Sequence, residues 1–262
     1  MASTHLAVLG SPIEHSKSPV IHTAAYDALG LDWDYGRYRI ESNELSDFLA
    51  KRDSTWRGLS LTMPLKEVGH ELSIPSCPVA SATGVVNTLV HTEAGWEGYN
   101  TDSFGIMKSV QVHTDKAFEA VQILGSGATA RSAVNAAREL YPEASISVFA
   151  RKAGKVLGIS AKPLEDFYSE KVEGLTISTL PSTVMIPGFE TSSEATILDV
   201  SYDPWPSKLS ANWLPENRIS GIEMLLWQAL IQVRLFVNGD GTHQLDDEAS
   251  VFEAMSSAVK QR

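Results

Sequence analysis

"VQILGSGATARSA", residues 121–133, is the stretch from which the fold is read. Val121 to Leu124 make a short apolar run suited to a buried strand. Two glycines follow, and the alanine-rich segment after them has the apolar spacing of a helix. Gly125-x-Gly127-x-x-Ala130 between a strand and a helix is the dinucleotide-binding fingerprint in its required context. Gly125 permits a tight turn, Gly127 lets backbone amides approach a pyrophosphate, and Ala130 is small enough for the helix to pack close to the strand. The segment Gly125, Ser126, Gly127, Ala128 and Thr129 would then surround the phosphates at a helix N-terminus. The competing reading is a strand-to-helix turn that merely needs glycine.

The end of the next strand, "SISVFA", selects between the two nicotinamide cofactors. An NAD site places a carboxylate there for the ribose 2′-hydroxyl. This chain has Ala150, then Arg151, Lys152 and Lys155. No carboxylate would repel a 2′-phosphate, and the planar guanidinium of Arg151 suits one. An Arg-Lys pair at a strand end is also what an ordinary solvated loop contains, but its position favours NADP.

Working outward, "GLTIST" and "ATILDV" read as further strands of this second α/β unit. The first hundred residues alternate as well. "HLAVLG", "DYGRYRI" and "WRGLSLTM" are strand-like, whereas residues 19–29, "NELSDFLAKR" and "PLKEVGHEL" are helical. "GVVNTLVHTEAGWEGYN" reads as a hairpin turning at Glu93 to Gly95. Two helices close the chain, "GIEMLLWQALIQVRLFVNG" and "DDEASVFEAMSSAVKQ". The order predicts an α/β protein with two domains. Residues 1–103, with about 225–262 packing back on them, form a substrate domain with a mainly parallel sheet. Residues 104–224 form a Rossmann-like domain.

Composition bounds the function. The chain has 262 residues and a net charge of −11, which argues against a nucleic-acid or membrane-surface partner. No apolar run approaches a membrane span, and "MASTHLAVLG" lacks the basic leader of a signal peptide. Cys77 is the only cysteine, so no intrachain disulfide forms and a reducing cytoplasm is expected. The seven histidines have no ligand-like spacing, and no metal is expected. His15, His22 and Cys77 are read as structural.

Four further segments carry candidate chemistry. In "EHSKSPVIHTAAYDALG", Ser18 suits the N-cap of a helix, Pro19 its first position and Gly30 its stop. Ser16 then stands beside exposed amides where an anion is welcome. In "LSLTMPLK", Lys66 falls in the first turn of a helix, against the helix dipole, which suggests a task other than stability. Asn87 and Thr88 interrupt an apolar run. Asn100 and Asp102 stand at the junction of the predicted domains, where a cleft is expected.

In order along the chain, these segments resemble the shikimate dehydrogenase family. Ser16-Lys17-Ser18 matches its paired-serine substrate motif, and Ser60 to Lys66 matches N-x-T-x-P-x-K with serine in place of asparagine. Gly84 to Thr88 and Asn100 to Asp102 match G-x-x-N-T and N-T-D, Tyr202 in "DVSYDP" matches a family tyrosine, and "GIEMLLWQ" matches G-x-x-M-L-x-x-Q. "GSGATA" departs from the commoner G-x-G-G-A, and Ala150 replaces a frequent asparagine.

The resemblance implies NADPH-dependent, reversible reduction of 3-dehydroshikimate to shikimate, in the supply of aromatic amino-acid precursors. It implies that Ser16 and Ser18 hold the substrate carboxylate, and that Thr62, Asn87, Asp102, Tyr202 and Gln228 complete the substrate site. Lys66 would be the acid and base, with Asp102 as its partner. Thr179, Val200, Gly221 and Met224 would meet the cofactor. Gly221, Met224 and Gln228 share one helix face, although core packing alone also explains a methionine there. A quinate/shikimate dehydrogenase or another paralogue using NAD, and a catalytically silent NADP-binding regulator, are the alternatives. The assembly would be a monomer or a homodimer.

Overall fold

The computed structural model describes residues 4–169, 171–184 and 187–260; Met1–Ser3 and Gln261, which belong to stretches quoted above, lie outside them. The chain divides into two compact units, Met1–Thr101 with Gln228–Arg262, and Asp102–Trp227.

The first unit contains β1 (Thr4–Gly10), α1 (Ser18–Ala28), β2 (Trp33–Arg39), α2 (Leu45–Ala50), β3 (Trp56–Leu61), α3 (Lys66–Glu71), β4 (Ile74–Pro75), α4 (Pro78–Thr83), β5 (Thr88–Thr92) and β6 (Gly95–Tyr99). Its sheet runs β2-β1-β3-β5-β6-β4. β1 is parallel to both β2 and β3, β4 is parallel to β6, and the β5–β6 hairpin is antiparallel within itself and to β3. The hairpin pairs Thr92 with Gly95, so its turn is Glu93–Ala94. Leu9, Leu59, Leu61, Leu65 and Leu89 are buried together in one core. Continuous burial along Leu6 to Leu9 is what a central strand covered on both faces requires.

The second unit contains α5 (Asp102–His113), β7 (Ala120–Leu124), α6 (Ala128–Leu140), β8 (Ser145–Ala150), β9 (Lys155–Val156), β10 (Ile159–Pro163), α7 (Leu164–Phe167), β11 (Leu175–Ser178), β12 (Thr196–Asp199) and β13 (Arg218–Ser220). The sheet order is β13-β12-β11-β7-β8-β10-β9. All pairings are parallel except that of the two-residue β9 with β10. Setting β9 aside, the strands follow the doubly wound 3-2-1-4-5-6 order of dinucleotide-binding sheets. The order reverses between β7 and β11, the place where such sheets receive a ligand.

Two helices complete the chain, α8 (Gly221–Asn238) and α9 (Glu248–Lys260). The division between units falls inside α8, after Trp227. In the first unit, Phe236 of α8 presses so closely on β3 that a Cβ at Gly58 would lie 2.2 Å from its ring. α9 packs along α1, and Arg234 of α8 makes a two-pronged ion pair with Glu248 at 2.6 and 2.5 Å.

Candidate active site

In the first unit, the strand directions gather the predicted substrate residues at one end of the sheet. β1 and β3 are parallel, so their C-terminal ends coincide. Because β5 runs antiparallel to β3 and β6, its start pairs with their ends, Thr88 with Ser60 and Thr88 with Tyr99. The Ser16–Ser18 loop after β1, Thr62 and Lys66 after β3, Asn87 before β5 and Asn100–Thr101 after β6 therefore leave the sheet on the same side.

The serine loop differs from expectation in one respect. α1 begins at Ser18 with Lys17 in the cap position, which puts Pro19 second in the helix. The Ser18 N–H donates to the hydroxyl of Ser16 at 3.3 Å, so Ser16 supplies the capping oxygen in place of Ser18. The reason is that the helix starts one residue earlier than the proline suggests. Arg37 of β2 holds the loop from below, donating to the carbonyls of Glu14 (2.5 Å) and Ser16 (2.9 Å). At the far end of α1, Gly30 at φ +67 closes a Schellman turn, with its N–H on Asp27 and that of Leu31 on Tyr26.

Thr62 is half-buried and anchored through its N–H to the Leu9 carbonyl at 2.9 Å. A Cβ at Gly10 would lie 2.4 Å from its methyl, so this approach requires glycine. Lys66 is the first residue of α3, half-buried, and its carbonyl accepts from Val86 N–H at 2.9 Å. Asn87 is buried, and its Nδ2 donates to Thr101 Oγ1 (2.9 Å) and Gln228 Oε1 (3.1 Å). Asn100 Nδ2 donates to Thr83 Oγ1 at 3.0 Å. Thr62, Lys66, Asn87 and Gln228 are thus carried by one framework. Lys66 belongs to the first unit and Asp102 to the second, where it opens α5 and is only 3% exposed.

In the second unit, the glycine fingerprint is seated at the switch point. Gly125 has φ +116, and a Cβ on it would meet Thr179 Oγ1 at 2.2 Å. Thr179 follows β11 and donates through both N–H and Oγ1 to the Leu124 carbonyl, each at 2.8 Å. Gly127 precedes α6 in an extended conformation, and nothing lies within 4 Å of where its Cβ would be. The loop therefore has an open side facing the first amides of a 13-residue helix, at Ala128 and Thr129, while Ala130 is fully buried against the core. Ser126 is exposed beside it. Ala150 ends β8, and Arg151, Lys152 and Lys155 follow, all exposed. These features fit a dinucleotide carrying an extra phosphate: an unobstructed glycine cradle, a helix N-terminus and three solvated cations at the neighbouring strand end.

Val200 and Gly221 continue the C-terminal edge of this sheet. Val200 N–H donates to Ser178 at 3.0 Å, and a Cβ on Gly221 would lie 2.2 Å from the Val200 carbonyl. Met224 is 7% exposed within the core of this unit, so packing accounts for most of its side chain. Tyr202 is half-buried, and burial pushes its hydroxyl pKa up, with a smaller contribution from Asp203. Its loop is tied back by Asp199, which accepts from Ser207 Oγ at 2.5 Å and Ser201 N–H at 3.2 Å. Burial raises the Asp199 carboxyl against these bonds. This tether has no motif to announce it in the sequence. Among the described residues, no helix is long and apolar enough to cross a membrane, and no three His, Cys, Asp or Glu side chains are grouped as metal ligands.

Comparison with known proteins agrees with this architecture. Residues 8–89 match the family model for the shikimate dehydrogenase substrate binding domain. The crystal structure of Mycobacterium tuberculosis shikimate dehydrogenase is similar over 97% of this chain and 99% of that one, with 32% identity and a TM-score of 0.76. That of shikimate 5-dehydrogenase from Thermus thermophilus, in complex with NADP(H) and shikimate, covers the same shares at 27% identity and a TM-score of 0.79. The shikimate dehydrogenase (NADP(+)) of Methanococcoides burtonii is 29% identical, over 88% of this chain and 91% of its own.

Proposed function

Because the chain belongs to the shikimate dehydrogenase family, we propose that it catalyses the reversible, NADPH-dependent reduction of 3-dehydroshikimate to shikimate. The observation that carries this reading is the gathering of Thr62, Lys66, Asn87 and Gln228 on one framework, in a chain whose other unit has an open glycine cradle.

Ser16 and Ser18 bind the substrate carboxylate, assisted by the amides at the start of α1. Thr62, Asn87, Tyr202 and Gln228 hold the ring hydroxyls and orient the reacting carbon. Gly125 to Thr129 hold the pyrophosphate, and Arg151, Lys152 and Lys155 neutralise the 2′-phosphate. Thr179, Val200, Gly221 and Met224 border the nicotinamide. The cofactor, when bound, supplies a hydride. Lys66 gives a proton to the oxygen that becomes the new hydroxyl and takes it back in the reverse direction. Asp102 would act with Lys66 in this proton transfer and would also serve the substrate. The reaction would run in the cytoplasm, the compartment in which a single free Cys77 stays reduced.

The test is a spectrophotometric assay offering shikimate and quinate, each with NADP and with NAD. Turnover of shikimate with NADP is expected to dominate. Preference for quinate or NAD would move the chain to the paralogous reading, and NADP binding without turnover to the silent regulator.

A further inference from the structure

Behind Asn87 and Gln228, within the first unit, runs a series of hydrogen bonds whose donors all face the same way. The Tyr35 hydroxyl donates to Ser60 Oγ at 2.6 Å, and Ser60 donates to Gln232 Oε1 at 2.9 Å. Gln232 Nε2 donates to Thr88 Oγ1 at 2.8 Å, and Thr88 donates to Asn87 Oδ1 at 2.9 Å. Asn87 Nδ2 then donates to Gln228 Oε1 at 3.1 Å.

Two backbone groups fix this direction. Gln232 Nε2 also donates to the Asn87 main-chain carbonyl at 3.1 Å, which only the nitrogen end of the carboxamide can do. Asn87 Oδ1 also accepts the Thr101 main-chain N–H at 2.9 Å, which only the oxygen end can do. Each hydroxyl between them has one proton to give. Thr88 must therefore accept from Gln232 and donate to Asn87, and Ser60 must donate to Gln232 and accept from Tyr35. Burial raises the Tyr35 hydroxyl pKa, so it stays a donor, and the His22 ring stacks on it with centroids 4.2 Å apart.

Gln232 is 1% exposed. An apolar side chain of similar size would fill this place without the cost of burying a carboxamide. Ser60 provides, through its one hydroxyl hydrogen, the bond that Gln232 Oε1 accepts.

We propose that Gln232 is a positioning residue for the dehydrogenase reaction. Acting through Thr88 and Asn87, and alongside the Thr101 N–H on Asn87 Oδ1 and the Thr101 hydroxyl on Gln228 Oε1, it helps to hold the Gln228 carboxamide with its oxygen toward Asn87. Gln228 is thereby set to meet an acceptor oxygen of the substrate with its amide nitrogen. The inference rests on the substrate site proposed above.

The test uses the full chain with Gln232→Met, which keeps length and removes both hydrogen-bonding ends, beside Ser60→Ala and Tyr35→Phe. Gln232→Met is expected to raise the KM for shikimate about tenfold, the effect of one misaligned hydrogen bond, while the KM for NADP stays within about twofold. The two upstream variants should change KM in the same direction by less. In a Gln228→Ala background, Gln232→Met should add less than about twofold, because its effect passes through the missing side chain. A general loosening would raise both KM values and persist in that background, and either result overturns the inference. Should the wild type not turn over shikimate, the activity reading fails by itself. The positioning is then decided by the side-chain amide NMR signals of Asn87 and Gln228 in Gln232→Met: displaced signals support it and unmoved ones overturn it.

Discussion

Acidification offers a quantitative test of the first unit's packing through His22. Its ring is fully buried, stacked on Tyr35, and Nδ1 lies 2.9 Å from the Ser18 carbonyl. Burial lowers its pKa from 6.5 to about 4, outweighing the Ser18 carbonyl and the Gln232 side chain, which favour the proton. The unfolded chain therefore binds a proton that the folded chain refuses between these two values. Stability is complete above the unfolded value of 6.5 and is lost as pH falls toward about 4. At 1.36 kcal/mol per pKa unit, that interval corresponds to about 3 kcal/mol.

Urea unfolding followed by circular dichroism, at steps from about pH 7.5 to about pH 4.5, would measure it on wild type and His22→Leu. At about pH 7.5 the variant is the less stable protein, having lost the stacking and the Ser18 bond. Its deficit should shrink as the pH falls, with a slope approaching 1.36 kcal/mol per pH unit. Other titrating groups, such as Asp199 and Glu223, are common to both proteins and cancel in the difference. Parallel curves across the window would refute a buried, proton-refusing imidazole.

Three further outcomes are expected. Lys66→Ala should lower kcat about a hundredfold or more with a smaller change in KM, and steady-state kinetics showing only a KM effect would reassign Lys66 to binding. Arg151→Ala should raise the KM for NADP about tenfold and leave that for NAD unchanged; an equal rise for both would remove Arg151 from the 2′-phosphate. Gly125→Ala should cost about 2 kcal/mol, from the positive φ and the overlap with Thr179, and lower Tm by about 4–8 °C in a thermal scan. A Tm unchanged by that substitution would mean the turn tolerates a side chain.

The parts legible in the sequence are those whose requirements are local. Gly125 and Ala130 are needed by a turn and a helix contact within a few residues, and the alternation of "GVVNTLV" with "GWEGYN" declares a hairpin without help from elsewhere. The short elements β4, β9, β10, α4 and α7 leave no legible signal, because too few residues carry a period and neighbouring chain decides their state. The capping of α1 misled for a similar reason, since Pro19 tolerates either of the first two helical positions. Least legible was the set Tyr35, Ser60 and Gln232. Its members are 25 and 172 positions apart, and polar spacing shows nothing of a contact made only by tertiary packing.

The lone thiol matters for anyone who wishes to attach a probe to this protein. Cys77 Sγ accepts the N–H of Ala80 at 3.3 Å, capping α4, and the N–H of Asn100 at 3.4 Å. A fluorophore or spin label coupled there would crowd both amides and disturb the chain leading into Thr101, which bonds Asn87 and Gln228. Dyes for spectroscopic work belong instead on a cysteine engineered into the exposed surface, with residue 77 changed to serine to keep an acceptor in place.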